Sequence, residues 1–243
     1  KDDIVGFAYV KNGDRMTIGK DRSKLLYLFS LLLIMGPVCF SKNLCITLVH
    51  KVRIILSNYT KYIRSPLIVD YVVKYSIPQY TIDSPNNRYF LEKLASRRPD
   101  VIINQSMSIL KSELLSIPTI GTLNRHNSLL PKNRGRLTPF WVLYKGETET
   151  GVSIHFVEKK IDSGDIVVQK KYKVLKRDTF NTLVKKNYAI AGKTMLEALI
   201  NIEELGNCPS FIPNDDNNSS YNTIPSVNQA LSYRMKRLSL FKR

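Results

Sequence analysis

Cysteine, histidine and acidic side chains are scarce in this sequence. Three cysteines and three histidines occur among 243 residues, and neither type shows the paired spacing of a zinc site or a C-x-x-C redox motif. An odd number of cysteines without such a motif is typical of a reduced compartment. We therefore expect a cytoplasmic protein that contains neither a disulfide framework nor a metal centre.

Long apolar runs are missing as well. The most apolar segment, residues 25–40, is shorter than the roughly 18 residues that favour a membrane-spanning helix, and a glycine–proline pair interrupts it. A second apolar segment, residues 44–56, contains Lys51 and Arg53. We interpret the two segments as a pair of helices packed on a sheet or on each other. A basic amphipathic surface that contacts a membrane is the alternative.

The shortage of acidic residues leaves a large positive charge. Asp and Glu together number 20 against 37 Lys and Arg, so the formal net charge is +17. Such an excess favours anionic partners, namely phosphates, carboxylates, nucleic acid or an acidic membrane face, but it does not choose among them. Lysine-rich usage also follows genome composition. With 43% hydrophobic residues, the chain can bury the core of one large domain.

The two ends of the chain differ from its centre. The sequence starts at Lys1 with no signal-peptide pattern, and we interpret it as incomplete at its N-terminus. Asn, Asp, Ser and Pro become frequent over residues 207–226, and residues 231–243 are basic with few apolar anchors. We therefore divide the chain into a folded unit, residues 1–206, and a polar linker with a basic tail, residues 207–243.

Short β-rich runs alternate with helical segments and predict an α/β fold with a mostly parallel sheet flanked by helices. A helix over residues 86–97 leads into a compact apolar strand at 101–103. A further strand is predicted at 151–157 because apolar and polar residues alternate there, and a second one, partly solvated by Lys170, Lys171 and Lys173, is predicted at 166–174. A long helix is predicted over 179–205, where apolar residues recur at helical spacing.

Three polar residues stand out beside these strands. Asn124 and His126 follow a predicted strand, and their spacing places both side chains on one face of extended backbone. Acyl transfer needs a hydrogen-bond donor for the developing oxyanion and a base for the attacking amine, and these residues can supply both. Asp162, in a predicted turn, can fix an imidazole tautomer. Each motif is also common without function, and we interpret His155 as a structural histidine.

Read as one string, the polar residues of this region form a longer pattern. The string contains Asn124-x-His126-x-Ser128-Leu129-Leu130-Pro131, then Arg134-Gly135 and Trp141, then Glu149-Thr150-Gly151-Val152-x-Ile154-His155 and Asp162-x-Gly164-Asp165-Ile166. It closely resembles the formyltransferase family, whose catalytic domain is shared by glycinamide ribonucleotide formyltransferase, methionyl-tRNA formyltransferase and the sugar N-formyltransferases. The resemblance is strong from about residue 99 to 205 and weaker before that.

The resemblance implies a Rossmann-like sheet and transfer of a formyl group from N10-formyltetrahydrofolate to a primary amine. Asn124 would bind the formyl oxygen, His126 would assist proton transfer and stabilise the oxyanion, and Asp162 would orient and charge the histidine. It also implies two walls of a pterin pocket. Their matching residues are Ser108, Ile109 and Leu110 on one wall and Val157, Glu158, Lys159 and Ile161 on the other.

Two departures from the family pattern concern the N-terminal part. The family opens with a strand and a helix that precede anything matched here, because residues 4–10 correspond to its second strand. We therefore expect the first strand to be missing from a catalytic domain that covers residues 1–206. Residues 25–56 have no obvious counterpart in the best-known members.

The resemblance leaves the amine acceptor open among several enzymes. Methionyl-tRNA formyltransferases carry a C-terminal barrel that helps to hold tRNA, and about 40 residues after the last helix are too few for it. Formyltetrahydrofolate hydrolases carry a preceding regulatory domain, for which there is no room. We therefore favour a small anionic acceptor, an amino sugar on a nucleotide, over tRNA. The alternatives are a methionyl-tRNA formyltransferase and an inactive basic module that binds RNA or membrane. The sequence leaves open whether the protein forms a homodimer.

Overall fold

The computed structural model describes residues 4–10, 23–57, 68–205 and 211–240. Residue 206, where the folded unit is predicted to end, lies outside these ranges. The elements, in chain order, are β1 (Phe7–Val10), α1 (Lys24–Met35), α2 (Pro37–Ser57), α3 (Ile68–Lys74), β2 (Gln79–Ile82), α4 (Arg88–Ser96), β3 (Val101–Asn104), α5 (Ser112–Leu115), β4 (Gly121–His126), β5 (Arg134–Gly135), α6 (Thr138–Lys145), β6 (Glu149–Phe156), β7 (Ile166–Lys173), α7 (Phe180–Leu205), β8 (Tyr221–Asn222) and α8 (Val227–Leu240).

The central sheet has four strands in the order β3-β4-β6-β7. Strands β3 and β4 are parallel, as are the separate pairs β1–β2 and β5–β8. The two remaining pairings, β4–β6 and β6–β7, are antiparallel. Only residues 157–165 join β6 to β7, and such a short connection joins neighbouring strands in antiparallel fashion. The predicted α/β class with helices on the sheet is confirmed, and antiparallel pairing is confined to the side of β6 and β7.

Helix α7 covers one face of this sheet, as its predicted apolar stripe requires. The buried interface contains Leu123 of β4, Val152 and Ile154 of β6, Val168 of β7, and Ala198 and Ile202 of α7. Full burial of one aliphatic side chain of the size of valine, leucine or isoleucine stabilises a fold by about 1.5–3 kcal/mol. This packing therefore holds rigidly the strands that carry the polar residues Asn124, His126 and His155.

The segment interpreted as a linker and tail is folded onto the rest of the molecule in its described part. Strand β8 pairs with β5, and α8 packs against α1. Ala230 and Tyr233 of α8 are buried in a cluster with Ile34, Phe140 and Phe180. The sequence interpretation was wrong there because one buried aromatic and one small residue anchor α8, which leaves few apolar residues to notice. The boundary at residue 206 itself stays a prediction.

Helices α1 and α2 confirm the predicted helix pair and differ in their packing. They are separated at Gly36, which has a φ of +79°, and are bent by 120°. Helix α1 buries Tyr27, Ser30 and Ile34, whereas no side chain that the structure describes in α2 is buried. Within the described ranges no single helix is long and apolar enough to cross a membrane, although the bent pair together passes that test on length and composition.

Candidate active site

Strand β4 lies between β3 and β6 and presents Asn124 and His126 on one face. Asn124 lies opposite Asn104 of β3 and opposite His155 of β6 in the strand registers. Its side-chain nitrogen Nδ2 is 3.4 Å from Nε2 of His155. The predicted pair is therefore on the same side of the sheet as a second histidine.

Asp162 brings a carboxylate to both histidines. It lies in the connection between β6 and β7, where its Oδ2 is 3.5 Å from Nδ1 of His126 and its Oδ1 is 3.7 Å from Nε2 of His155. The exposed fractions of the three side chains are 6% for His126, 2% for His155 and 12% for Asp162. The structure thus joins the three predicted residues in a largely buried cluster that also contains His155.

The backbone at Asp162 has a conformation that residues other than glycine rarely adopt. Its φ is +50°, which costs of order 1–3 kcal/mol and persists only where the surroundings enforce it. The N–H of Gly135 donates to Asp162 Oδ2 at 2.8 Å. Asn214 Nδ2 donates to the carbonyl oxygens of Asp162 and Gly164, each at 2.9 Å. These bonds orient the carboxylate toward the histidines.

Arg134 and Gly135 form the support for this arrangement. Gly135 has a φ of +97°, and a Cβ there would lie 2.1 Å from the carbonyl oxygen of Asn222, so only glycine fits. The buried Arg134 guanidinium donates to the carbonyl and side-chain oxygens of Asn214, both at 2.8 Å. It also pairs with Asp216, and the hydrogen bonds from Lys160 and Arg134 lower the pKa of that carboxyl.

His126 is held by a backbone carbonyl on its other side. Its Nε2 is 2.9 Å from the carbonyl oxygen of Asn133, and because a carbonyl only accepts, Nε2 carries a proton there. Asn133 is itself fixed, since its side chain donates to Glu147 at 2.7 Å and accepts from Lys145 and Asn222 at 2.8 and 2.9 Å. Nδ1 is therefore the ring nitrogen that faces Asp162.

His155 is also part of this cluster, although the sequence analysis interpreted it as a structural histidine. Its Nδ1 donates to the carbonyl oxygen of Phe156 at 2.7 Å, so in the neutral ring Nε2 is an acceptor that faces the Asn124 amide. Burial, followed by the neighbouring His126, lowers the pKa of His155 to about 4. The ring is therefore neutral near pH 7. Its presence in the same matched string as Asn124 was the available signal.

The residues predicted to wall a pterin pocket lie on two loops beside β4. In the first loop Ser108 is half-buried, Ile109 exposed and Leu110 buried, and Asn86 holds the loop through the Ile109 carbonyl at 2.8 Å. In the second loop the N–H of Val157 donates to the Thr122 carbonyl at 2.7 Å. Its other predicted residues, Glu158, Lys159 and Ile161, are exposed. The pocket stays a prediction.

The residues missed by sequence reasoning share one property. Asn133, Asn214 and Asp216 each form a hydrogen bond with a partner far away in the sequence, namely Asn222, Asp162 and Arg134. Two of them lie in the segment interpreted as a linker. Within the part of the chain that the structure describes, no group of three or more His, Cys, Asp or Glu side chains is arranged to hold a metal ion.

Comparison with known sequences identifies relatives of this chain. The family model described as formyl transferase matches residues 52–199. A methionyl-tRNA formyltransferase of Clostridioides difficile is 32% identical over 165 residues, which cover 68% of this chain and 52% of that protein. The bifunctional polymyxin resistance protein ArnA of Wigglesworthia glossinidia brevipalpis is 40% identical over 115 residues, or 47% of this chain and 18% of that protein. The chain thus spans about half of the first relative and less than a fifth of the second.

Comparison with solved structures gives the same fold. Glycinamide ribonucleotide transformylase 1 from Symbiobacterium toebii is similar with a TM-score of 0.52 and 23% sequence identity, over 58% of this chain and 71% of that one. A likeness at this identity concerns the fold alone. It agrees with the Rossmann-like arrangement that the sequence predicted.

Proposed function

This chain belongs to the formyl transferase family, and on that premise we propose that it transfers a formyl group from N10-formyltetrahydrofolate to a primary amine on a small anionic acceptor, an amino sugar carried by a nucleotide. The observation that carries the proposal is the largely buried cluster of Asn124, His126, Asp162 and His155. Their contacts, 3.5 Å from His126 to Asp162 and 3.4 Å from Asn124 to His155, bring an amide donor, an imidazole and a carboxylate together. These groups fit the formyl carbonyl and the proton that the reaction must move.

The reaction balances without a metal or a redox step. A bond forms between the acceptor nitrogen and the formyl carbon, the bond from that carbon to N10 breaks, and one proton passes from the amine to N10. The formyl oxygen carries negative charge between these events. The protein's task is to stabilise that oxygen, to orient the amine and to move the proton.

In this proposal Asn124 donates from Nδ2 to the formyl oxygen. One of its two amide hydrogens faces the unprotonated Nε2 of His155 at 3.4 Å, which leaves the other for the oxyanion. The neutral His155 thereby sets which end of the Asn124 amide faces the substrate. A pre-oriented donor of this kind gains strength from a buried setting because it needs no reorganisation during the reaction.

His126 handles the proton and Asp162 supports it. With Nε2 bonded to the Asn133 carbonyl at 2.9 Å, Nδ1 remains for Asp162 and for proton exchange. The Asp162 carboxylate stabilises a positive charge on this ring when the charge develops. The Gly135 N–H and the Asn214 side chain keep the carboxylate in position.

Net charge is the observation that bears on the acceptor. The formal net charge of +17 suits a pyrophosphate on the acceptor and a polyglutamate tail on the folate. Initiator methionyl-tRNA is the second candidate, because the relative from Clostridioides difficile with 32% identity is a methionyl-tRNA formyltransferase. Positive charge supports either acceptor.

One assay separates these candidates. The purified chain is incubated with N10-formyltetrahydrofolate and either a panel of nucleotide-linked amino sugars or initiator methionyl-tRNA, and release of tetrahydrofolate is followed together with the mass of the formylated acceptor. We expect turnover with a sugar and a loss of about 10²–10⁴-fold in His126→Ala. His50→Ala, on α2, is the matched control and should retain the activity. Absence of turnover with every acceptor, or equal rates in His126→Ala and the unchanged chain, would contradict the proposal.

A further inference from the structure

Helix α2 carries apolar side chains that its described neighbours leave uncovered. Leu44, Leu48 and Val52 are 52%, 53% and 52% exposed, and they follow one another at intervals of four residues. With 3.6 residues per turn, this spacing places them close together along one side of the helix. The same side, an arc of about 140° on a helical projection, is completed by Val38, Cys45, Val49 and Leu56. We call these seven residues the apolar arc.

The apolar arc is directed away from the body of the protein. The partly buried side chains of α2 are Cys39, Phe40 and His50; Cys39 and His50 project on the side opposite the arc, and Phe40 lies just outside the arc near Lys51. Asn43, also outside the arc, contacts the sulfur of Met35 in α1 at 3.9 Å. The arc therefore faces outward, and Leu25 and Phe29 in the first turns of α1 are exposed as well.

Cations line both edges of the apolar arc. On the helical projection Lys42 and Arg53 lie beside one edge and Lys51 lies beside the other. The sequence contains no Asp or Glu from residue 22 to residue 69. An apolar strip bordered on both sides by cations allows lysine and arginine stems to lie along the apolar surface while their charges reach outward.

We propose that α2 lies flat on an anionic lipid surface, with the apolar arc at the boundary between headgroups and acyl chains and with Lys42, Lys51 and Arg53 against lipid phosphates. Charge selects this partner over a second copy of the chain, because two α2 helices would bring cations against cations. The outward leucines and valines select lipid over nucleic acid, which needs cations but not an apolar strip. This surface is separate from the Asn124 cluster and does not depend on formyl transfer.

Vesicle sedimentation tests the proposal directly. The full chain is mixed with vesicles of phosphatidylcholine alone or with vesicles in which about one lipid in three is phosphatidylglycerol. We expect binding to the anionic vesicles and at least a tenfold weaker association with the neutral ones. Leu48→Asp, in the arc, should abolish sedimentation. Thr47→Asp changes the charge equally on the opposite side of α2 and should reduce binding by no more than about fivefold.

Further arms distinguish lipid from the other partners. Lys42→Gln, Lys51→Gln and Arg53→Gln should each weaken binding by about fivefold, since each cation near an anionic surface contributes about 1 kcal/mol. A fluorophore is attached to Cys45 after the other two cysteines are replaced by serine. Its emission maximum should shift to shorter wavelength when anionic vesicles are added. Excess tRNA should not release the protein from the vesicles.

Four results would overturn the inference. The first two are vesicle binding that Leu48→Asp retains and a loss of vesicle binding in Thr47→Asp equal to that in Leu48→Asp. The other two are release of the protein from vesicles by tRNA and a dimer that forms without lipid and is disrupted by Leu48→Asp. Thermal unfolding of both aspartate variants is the control that checks whether they are folded. Both positions are exposed, so we do not expect loss of folding to cause the loss of vesicle binding.

Discussion

The connection that carries Asp162 and the helix α2 differ in how many partners hold them. The Asp162 carboxylate accepts from the Gly135 N–H and faces both His126 and His155, while its carbonyl accepts from Asn214. No described side chain of α2 is buried. A substitution in the first region disturbs several groups at once. At an exposed position of α2 we expect a substitution to leave the fold intact and to affect only what binds that surface.

The largest difference between the two regions is expected in catalysis. Asn124→Ala removes the proposed oxyanion donor and should lower kcat by about 10²–10³-fold. Asn43→Ala removes an amide of the same size from α2 and should leave kcat unchanged. Steady-state formyl transfer measures both. A similar loss in the two variants, or none in Asn124→Ala, would remove Asn124 from the mechanism.

The second difference concerns stability against pH. The pKa of His155 is lowered from 6.5 to about 4 in the folded protein, first by burial and then by His126. Between these pH values the unfolded ring binds a proton that the folded ring does not, so stability falls as the pH drops through this window. The loss reaches at most about 3 kcal/mol near pH 4.

Urea unfolding over the same pH range measures this loss. His155→Gln retains a side chain that can accept from Asn124 but cannot titrate, and it should remove the His155 part of the acid sensitivity. His50→Gln, on α2, should leave the acid sensitivity in place. If His155→Gln kept the full pH dependence, the acid sensitivity would have another source.

A third difference separates two glycines. Gly135→Ala places a Cβ 2.1 Å from the Asn222 carbonyl oxygen at a φ of +97° and should destabilise the fold by roughly 2–3 kcal/mol. Gly192→Ala, in α7, has no atom within 4 Å of the new Cβ and should stabilise it by about 0.4–1 kcal/mol. The free energy of unfolding in urea measures both, and opposite signs are required.

The smallest effect is expected in α2 itself. Leu48→Asp places a charge on a side chain that is 53% exposed, so the free energy of unfolding should change by less than about 0.5 kcal/mol. Formyl transfer to a soluble acceptor should also be unchanged. A large loss of stability would mean that the apolar arc packs against the protein.

Much of the fold could be predicted because it depends on local periodicity. The alternation in β6 and the helical spacing of apolar residues in α7 were visible in the sequence, and these elements end within a few residues of the predicted bounds. Helix α8 was missed because it shows no such periodicity. Its core contact rests on Ala230 and Tyr233, too few residues to produce a visible period.

The candidate site divides along the same line. Local chain geometry already determines that Asn124 and His126 share a face, because alternate residues of any strand do so. Whether Asp162 reaches them depends on the pairing of β4, β6 and β7 and on the bonds from Gly135 and Asn214. These partners are separated from Asp162 by 27 and 52 residues, and periodicity contains no information about such distances.

His155 and α2 show what packing alone decides. Alternation placed His155 on a strand face, but the strand register set it opposite Asn124, and burial among neighbours made its ring neutral. The sequence likewise showed that α2 is apolar and basic, and the packing of α2 against α1 determined which side of α2 remains outward. The periods of strands and helices come from backbone geometry, whereas burial and pKa depend on the atoms that tertiary folding brings near.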